Sequence, residues 1–401
     1  MAVTAAPQSP SFSDEFYASL FRISDGERIR ACLQCGMCSG VCPLGFAMDY
    51  PPGKMVAALR ANVFESVLQT DTPWMCISCY ACTQVCPARI PLTAGLMARA
   101  KEEMVLGGKV PAELQLALEN SHRYGNALGQ SPRRRVDWIR SGETRVPVMG
   151  KDTKSAEVLW FVGDYASYHP RVQSVSRALA AVFSRLNVDF AILGAEEVSD
   201  GDSQRLAGER GLFELLAAKN GQALRRYRFG EIVTSDPHAY NAFKNEYPAL
   251  GIAYPVRHYT QFLAERLPQL RPLLTVPVGA KIAFHDPCYL GRANGVYDEP
   301  RELLKAIPGV DLVEMAHSRA SSLCCGGGGG GMWMDGFHWE RAHARTSEWR
   351  VGEAVAAGAS VLAVACPYEP PRFEDAAKAI RGATELAVLD IAELLARAIG
   401  S

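Results

Sequence analysis

Twelve cysteines carry the chemistry of this 401-residue chain, and eight of them fall into two runs of one spacing. Cys32, Cys35, Cys38 and Cys42-Pro43 read C-x2-C-x2-C-x3-C-P, and Cys76, Cys79, Cys82 and Cys86-Pro87 repeat it. Three thiolates on one short loop can wrap three corners of an iron–sulfur cube. The cysteine before proline supplies a fourth corner, and the proline ends the loop. In the bacterial two-cluster spacing that fourth cysteine serves the other cluster. The pattern therefore predicts one [4Fe-4S] cluster on Cys32, Cys35, Cys38 and Cys86, and a second on Cys76, Cys79, Cys82 and Cys42. Zinc knuckles seldom take this form. Two such clusters side by side make an electron wire, not a catalyst.

The other four cysteines are Cys288, the adjacent pair Cys324-Cys325, and Cys366. They fall at the C-terminal ends of expected parallel strands or in the loops just after them, the edge where open α/β sheets build sites. Neighbouring cysteines fit two corners of an ordinary cube only tightly, and a bridging role is open to them. The run Gly326–Gly331 would let backbone approach a cofactor closely. It matches a dinucleotide fingerprint only trivially, because no helix of the right context opens there. Buried apolar cysteines are the plainer alternative for the quartet. His285 and Asp286 either tune this site by hydrogen bonding or form a structural pair.

The elements that would hold these residues follow from punctuation and periodicity. Residues 1–25 read as a polar arm turning helical near Glu15–Phe21, and residues 26–110 as a helical two-cluster domain. Within that domain, helices are expected after Pro51-Pro52-Gly53 and over Pro91 to Leu106. Residues 111–154 read as a helical connector through Ala112–Asn120, and its run Arg133-Arg134-Arg135 is expected to be a solvated face. Thereafter strands at Val158–Val162, Phe190–Leu193 and Glu231–Thr234 alternate with a helix over Val172–Leu186, which argues for a parallel α/β sandwich. Glu385 to Ile399 has helical spacing and is broken by Asp390, Glu393 and Arg397.

An internal repeat organises this second part. Lys281 to Tyr289, with Cys288, matches Glu157 to Tyr165, with Asp164 in the cysteine's place. Cys324-Cys325-Gly326 falls where Ser199-Asp200-Gly201 falls, and Cys366-Pro367-Tyr368-Glu369 matches Asp236-Pro237-His238-Ala239. The first spacing nearly agrees, 35 positions from Asp164 to Ser199 against 36 from Cys288 to Cys324, and the second is five longer in the later copy, 35 from Gly201 to Asp236 against 40 from Gly326 to Cys366. Residues 155–278 and 279–401 thus read as two copies of one α/β unit, the first without cysteines.

Composition narrows the function classes. A net charge of −1 gives no case for nucleic acid, and 48% hydrophobic content can bury a sizeable core. Clustered thiols in a long chain point to soft-metal ligation in a reducing cytoplasm, not to a disulfide framework. Met1 to Phe16 lacks the basic-then-apolar order of a signal peptide, and no run reaches the ~18 apolar residues of a membrane span. The expected location is cytoplasmic, peripheral to the inner membrane only through a partner.

The combination Cys288, Cys324-Cys325-Gly326 and Cys366-Pro367-Tyr368 resembles the cysteine-rich CCG domain of heterodisulfide reductase. The N-terminal part, with Trp74-Met-Cys-Ile-Ser-Cys-Tyr-Ala-Cys, resembles the separate two-cluster component of that enzyme, so that the chain looks like a fusion of the two. The whole order is also similar to the iron–sulfur subunits of glycolate oxidase and anaerobic glycerol-3-phosphate dehydrogenase. The resemblance implies electron passage between a flavin subunit and a thiol, quinone or carrier. It implies too a cysteine-ligated cluster of unusual noncubane form at the CCG site, built on five cysteines. Here the fifth is Glu369, so a cubane, a noncubane cluster with a Glu369 oxygen ligand, and zinc all remain open. In the first copy Asp164, Ser199, Asp200, Asp236 and Ala239 stand at the cysteine positions, with His238 nearby. They suggest either a hard-metal site or polar residues left behind by a lost cluster.

Three functions follow. The chain is an electron-transfer subunit with a flavoprotein partner and a C-terminal terminal relay; or a disulfide-reducing subunit working at Cys288, Cys324, Cys325, Cys366 and Glu369; or a zinc-bearing docking scaffold. The lack of a flavin fingerprint and of a membrane span favours the first.

Overall fold

Two parallel sheets of the same strand order form the C-terminal two-thirds of the protein. The structure, a computed structural model, describes residues 12–23 and 25–400. In the first sheet β1 (Ser155–Phe161), β2 (Phe190–Ile192), β3 (Arg228–Thr234) and β4 (Val256–His258) stand in the order β2-β1-β3-β4. In the second, β5 (Lys281–Phe284), β6 (Asp311–Val313), β7 (Val361–Val364) and β8 (Ala387–Asp390) stand as β6-β5-β7-β8, the same order shifted by four. The registers pair Leu159 with Ile232 in one and Ala283 with Leu362 in the other. The repeat legible in the loops is therefore a repeat of topology.

Each sheet is covered by helices, so its central strands carry apolar runs, over 158–161 in β1 and Val361–Val364 in β7. Val158, Leu159, Trp160 and Phe161 are wholly buried. The helix Pro170–Arg185 begins at a proline, where the missing N–H costs nothing. It buries Val172, Val175, Leu179, Val182 and Phe183 along one stripe. Against it packs the helix Ile391–Ala398 of the second unit, and one hydrophobic core runs from Trp160 and Phe183 through to Phe284 and Leu395. Arg171 fastens the seam by donating to both oxygens of Glu393, at 2.8 and 3.0 Å, and to the Val388 carbonyl at 2.8 Å.

Two sequence expectations are corrected here. Residues 385–399 are not helical throughout. Ala387–Asp390 is strand β8, and the helix begins only at Ile391. Asp390 makes the change of element, accepting from the Ala392 N–H while Glu393 accepts from the Asp390 N–H in a reciprocal capping box. The arginine run is not a uniform solvated face either. Arg133 and Arg134 are not buried, but Arg135 lies wholly inside, between Asp164 (2.7 Å) and Glu197 (2.8 Å).

The N-terminal helices fall near their expected places: Phe12–Leu20, Pro52–Arg60, and Ala98–Leu106, which is preceded by a wider π-type turn over Leu92–Met97. The first residues of the expected arm, 1–11, lie outside the described residues. Among the described residues no helix is long and apolar enough to cross a membrane.

Candidate redox site

The two cysteine runs trade their fourth members. Cys86 lines a cavity of about 220 Å³ together with Cys32, Cys35 and Cys38. Cys42 lines another with Cys76, Cys79 and Cys82, and burial together with these three thiols pushes the Cys42 thiol up. The exchange comes from two matching short helices, Met37–Gly40 and Ala81–Gln84, each entered through a residue of positive φ (Gly36, 79°; Tyr80, 63°). Among the described residues no three of these thiols lie within 4.8 Å of one another. A single zinc would hold its sulfurs about 3.8 Å apart, from Zn–S bonds of about 2.3 Å. A cavity lined by four thiols suits a cluster with four sulfur-ligated corners. The iron–sulfur groups thus fit these residues and would supply one-electron storage at each.

The second run meets the C-terminal cysteines directly. Cys324 lies beside Cys79, Cys288 and Cys325, and these neighbours together with burial push its thiol well up. The Cys79 thiol is held down to about 6, first by its neighbour Cys324, against burial and with help from Arg292. Cys366 stands near Cys325 and Glu369, and burial pushes its thiol well up. The four C-terminal cysteines are only 2–8% exposed.

Buried cations lock the two parts together. Lys101 donates to the Cys76 carbonyl at 2.7 Å and to the Gly329 carbonyl at 2.8 Å. Arg292 donates to the Cys79 carbonyl at 2.7 Å and to the Ser322 carbonyl at 2.5 Å. The glycine run serves this junction. A Cβ on Gly328 would stand 2.8 Å from the Ile77 carbonyl oxygen, and one on Gly329 would stand 2.4 Å from Ser78 Oγ. Backbone here approaches the neighbouring cysteine loop, where the glycines alone suggest a cofactor. Neither Lys101 nor Arg292 carries a sequence signal, since each acts across more than 200 positions.

The CCG turn is built alike in both units. Gly326 and Gly201 have φ of 85° and 82°. Cys324 and Cys325 sulfurs accept from the N–H groups of Gly326 (3.3 Å) and Gly327 (3.4 Å). Ser199 and Asp200 oxygens accept from Gly201 (3.4 Å) and Asp202 (2.9 Å) in the same pattern. N–H donors on sulfur of this kind tune cluster potential.

The first unit's polar residues are satisfied from within. Asp164 pairs with Arg135, and Asp202 joins Arg205 (2.8 Å) and His238 (2.9 Å). Burial pushes the Asp200 and Asp236 carboxyls up. Burial alone would lower His238, but the Asp202 hydrogen bond raises it to about 9. Among the described residues only His285, Cys325 and Glu369 bring three metal-type atoms within 4.8 Å. Asp164, Asp200 and Asp236 do not form such a group, and Ala239 is buried. Glu369 is held near 7 by burial, opposed by His285. Asp286 turns away from the cysteines to a bidentate pair with Arg301, at 2.7 and 2.9 Å, which is the structural reading of that residue.

Comparison with known proteins finds a match for each cysteine-bearing part of the chain. Residues 28–90 match the 4Fe-4S dicluster domain, and residues 282–368 match the CCG cysteine-rich domain. The chain is similar over nearly its whole length to heterodisulfide reductase-like iron–sulfur proteins. It is 36% identical over 388 residues to the probable iron-sulfur-binding oxidoreductase FadF of Bacillus subtilis, covering 95% of this chain and 52% of that protein. It is 31% identical to the EtfAB:quinone oxidoreductase of Syntrophomonas wolfei, covering 86% of this chain and 49% of the relative. One component of the dihydromethanophenazine:CoB–CoM heterodisulfide reductase of Methanosarcina barkeri is 29% identical, with 92% of this chain and 94% of that one covered. This heterodisulfide reductase-like chain spans about half the length of the first two relatives. The dicluster match, with relatives named as oxidoreductases and a reductase, supports an iron–sulfur electron-transfer role.

Proposed function

We propose that this heterodisulfide reductase-like chain is the electron-transfer part of a multi-subunit, flavin-linked oxidoreductase. Residues 26–110 are the wire, 111–154 the connector, 155–278 a supporting unit, and 279–401 the unit that holds the terminal relay. One [4Fe-4S] cluster is held by Cys32, Cys35, Cys38 and Cys86, and the next by Cys76, Cys79, Cys82 and Cys42. The terminal site uses Cys288, Cys324, Cys325 and Cys366, with Glu369 at the fifth position. The observation that carries this reading is the closeness of Cys79 to Cys324, with Arg292 donating to the carbonyls of Cys79 and Ser322 between the two adjoining centres. The Syntrophomonas relative, an EtfAB:quinone oxidoreductase, supports a protein redox partner. Peripheral attachment to the inner membrane would come through such a partner.

A disulfide-reducing subunit would bring its substrate to the same four thiols. Their 2–8% exposure gives a bulky disulfide no approach and favours the relay. Anaerobic purification with iron and sulfide counts and electron paramagnetic resonance tests the proposal. About twelve irons and a third signal are expected; about eight irons with no third centre would remove the terminal relay. Cys324→Ser should leave the first two clusters reducible by a flavoprotein donor while blocking electron exit.

A further inference from the structure

His285 sits at the centre of the one close grouping of metal-type atoms among the described residues, and its two ring nitrogens have different neighbours. Nδ1 lies 3.0 Å from Arg350 Nε, with the guanidinium N–H donating to it. Arg350 is wholly buried and fixed by the carbonyls of His317 (2.6 Å) and Phe284 (3.4 Å) and by Glu353 (2.5 Å). A guanidinium keeps its protons and offers no acceptor. The lone pair of Nδ1 is thereby used, and the ring's own proton must sit on Nε2. Turning the ring over would set a C–H against the guanidinium N–H, so this orientation is fixed. Nε2 is buried, aims at Cys325 and Glu369, and lies 3.2 Å from Glu369 Oε1 without the alignment of a hydrogen bond.

A histidine that binds metal through Nε2 needs that lone pair free, and almost always donates its Nδ1–H to a carboxylate, carbonyl or water. His285 has the reverse arrangement. We infer that His285 is a hydrogen-bond donor to the sulfur of the C-terminal site, positioned by Arg350, and not one of its metal ligands. Without the imidazole, the close group shrinks to Cys325 and Glu369, too few for a tetrahedral zinc site. The donors left for a bound group are the four cysteine sulfurs and the Glu369 oxygen. A donor to sulfur stabilises the reduced, more negative state and raises the potential of the centre.

The inference rests on the reading that a metal or cluster occupies this site, and the iron and zinc counts test that reading separately. The protein is purified anaerobically with ¹⁵N-histidine, alongside His285→Gln, which keeps an N–H donor, and His285→Ala, which does not. If the site holds iron, pulsed electron paramagnetic resonance reads the coupling to histidine nitrogen. If it holds zinc, or takes up one equivalent of added Zn(II), X-ray absorption reads its ligands. Only weak coupling, or a shell without imidazole, is expected, with the metal content of His285→Gln unchanged. An iron centre should also show a lowered midpoint potential in His285→Ala that returns toward the wild-type value in His285→Gln. A directly bound imidazole signal that vanishes in His285→Gln would overturn the inference, as would a potential indifferent to both substitutions.

Discussion

His238 and Tyr289 pack ring against ring with centroids 4.1 Å apart, and Tyr165 and Tyr368 make the corresponding contact at 4.8 Å. Tyr165 and Tyr289 follow the first cysteine position of each unit, and His238 and Tyr368 follow the third. The two units therefore meet site to site about an approximate two-fold axis, with His238 and Tyr368 5.4 Å apart across it. The polar first-unit site is the wall against which the cysteine site is built. Tyr289 is 1% exposed, and among the described residues its hydroxyl has no partner. Its value lies in the ring. Tyr289→Phe should change stability by less than about 1 kcal/mol, whereas Tyr289→Ala should cost about 3–5 kcal/mol through the cavity it leaves. Denaturant midpoints of the two variants decide this; equal losses would show that the hydroxyl matters.

The exchange of Cys42 and Cys86 between runs gives a test by matching spectra. Cys86→Ala should reproduce the electron paramagnetic resonance spectrum of Cys32→Ala, and Cys42→Ala that of Cys76→Ala. In each case the iron held by the two-cluster domain should fall from about eight to about four. If Cys86→Ala instead matches Cys76→Ala, each run binds its own cluster.

Arg135 balances two buried carboxylates with one guanidinium. Asp164 and Glu197 are both pushed up by burial and pulled back by Arg135. Glu197 also accepts from the N–H groups of Val162 (3.0 Å) and Gly163 (2.8 Å), which fixes the loop after β1. Arg135→Met should cost about 3–5 kcal/mol at neutral pH by leaving both charges uncompensated. Adding Asp164→Asn should recover part of that loss. Chemical denaturation of the single and double variants reads the difference, and additive losses would refute the coupling.

What the sequence revealed, and what it hid, divides along the range of the interactions. The cluster runs, the strands β1, β2, β3, β5 and β7, and the matching of Cys324-Cys325-Gly326 with Ser199-Asp200-Gly201 were legible because spacing and periodicity are local. The Cys79–Cys324 contact, Lys101 on Gly329 and the burial of Arg135 were not, because contacts between distant segments leave no period. Glu385–Ile399 misled because a four-residue strand is too short for its alternation to stand out beside an eight-residue amphipathic helix. His285 and Asp286, adjacent in the sequence, turn to different arginines, Arg350 and Arg301, a division of roles visible only in three dimensions.

Acid sensitivity should include a measurable part from His258. Burial holds this ring down to about 3. Its Nδ1 accepts from Thr260 Oγ1 at 2.7 Å and from the Thr260 N–H at 3.4 Å, capping the helix Tyr259–Glu265, while Nε2 donates to the Ser235 carbonyl at 3.3 Å. A proton on Nδ1 would face two donors. In the unfolded chain the ring titrates near 6.5, so its contribution is complete above that pH and is lost as pH falls toward 3, at about 1.4 kcal/mol per pH unit. Glu369 and Asp390, both raised to about 7 by burial, act with the opposite sign: they favour the folded state as it takes up their protons. The His258 share therefore appears only as a difference between proteins. His258→Gln should show a stability that falls less steeply between about pH 6 and about pH 4, by up to about one proton's slope. Urea unfolding of both proteins across that range checks it, and parallel pH profiles would mean that His258 takes up its proton while folded.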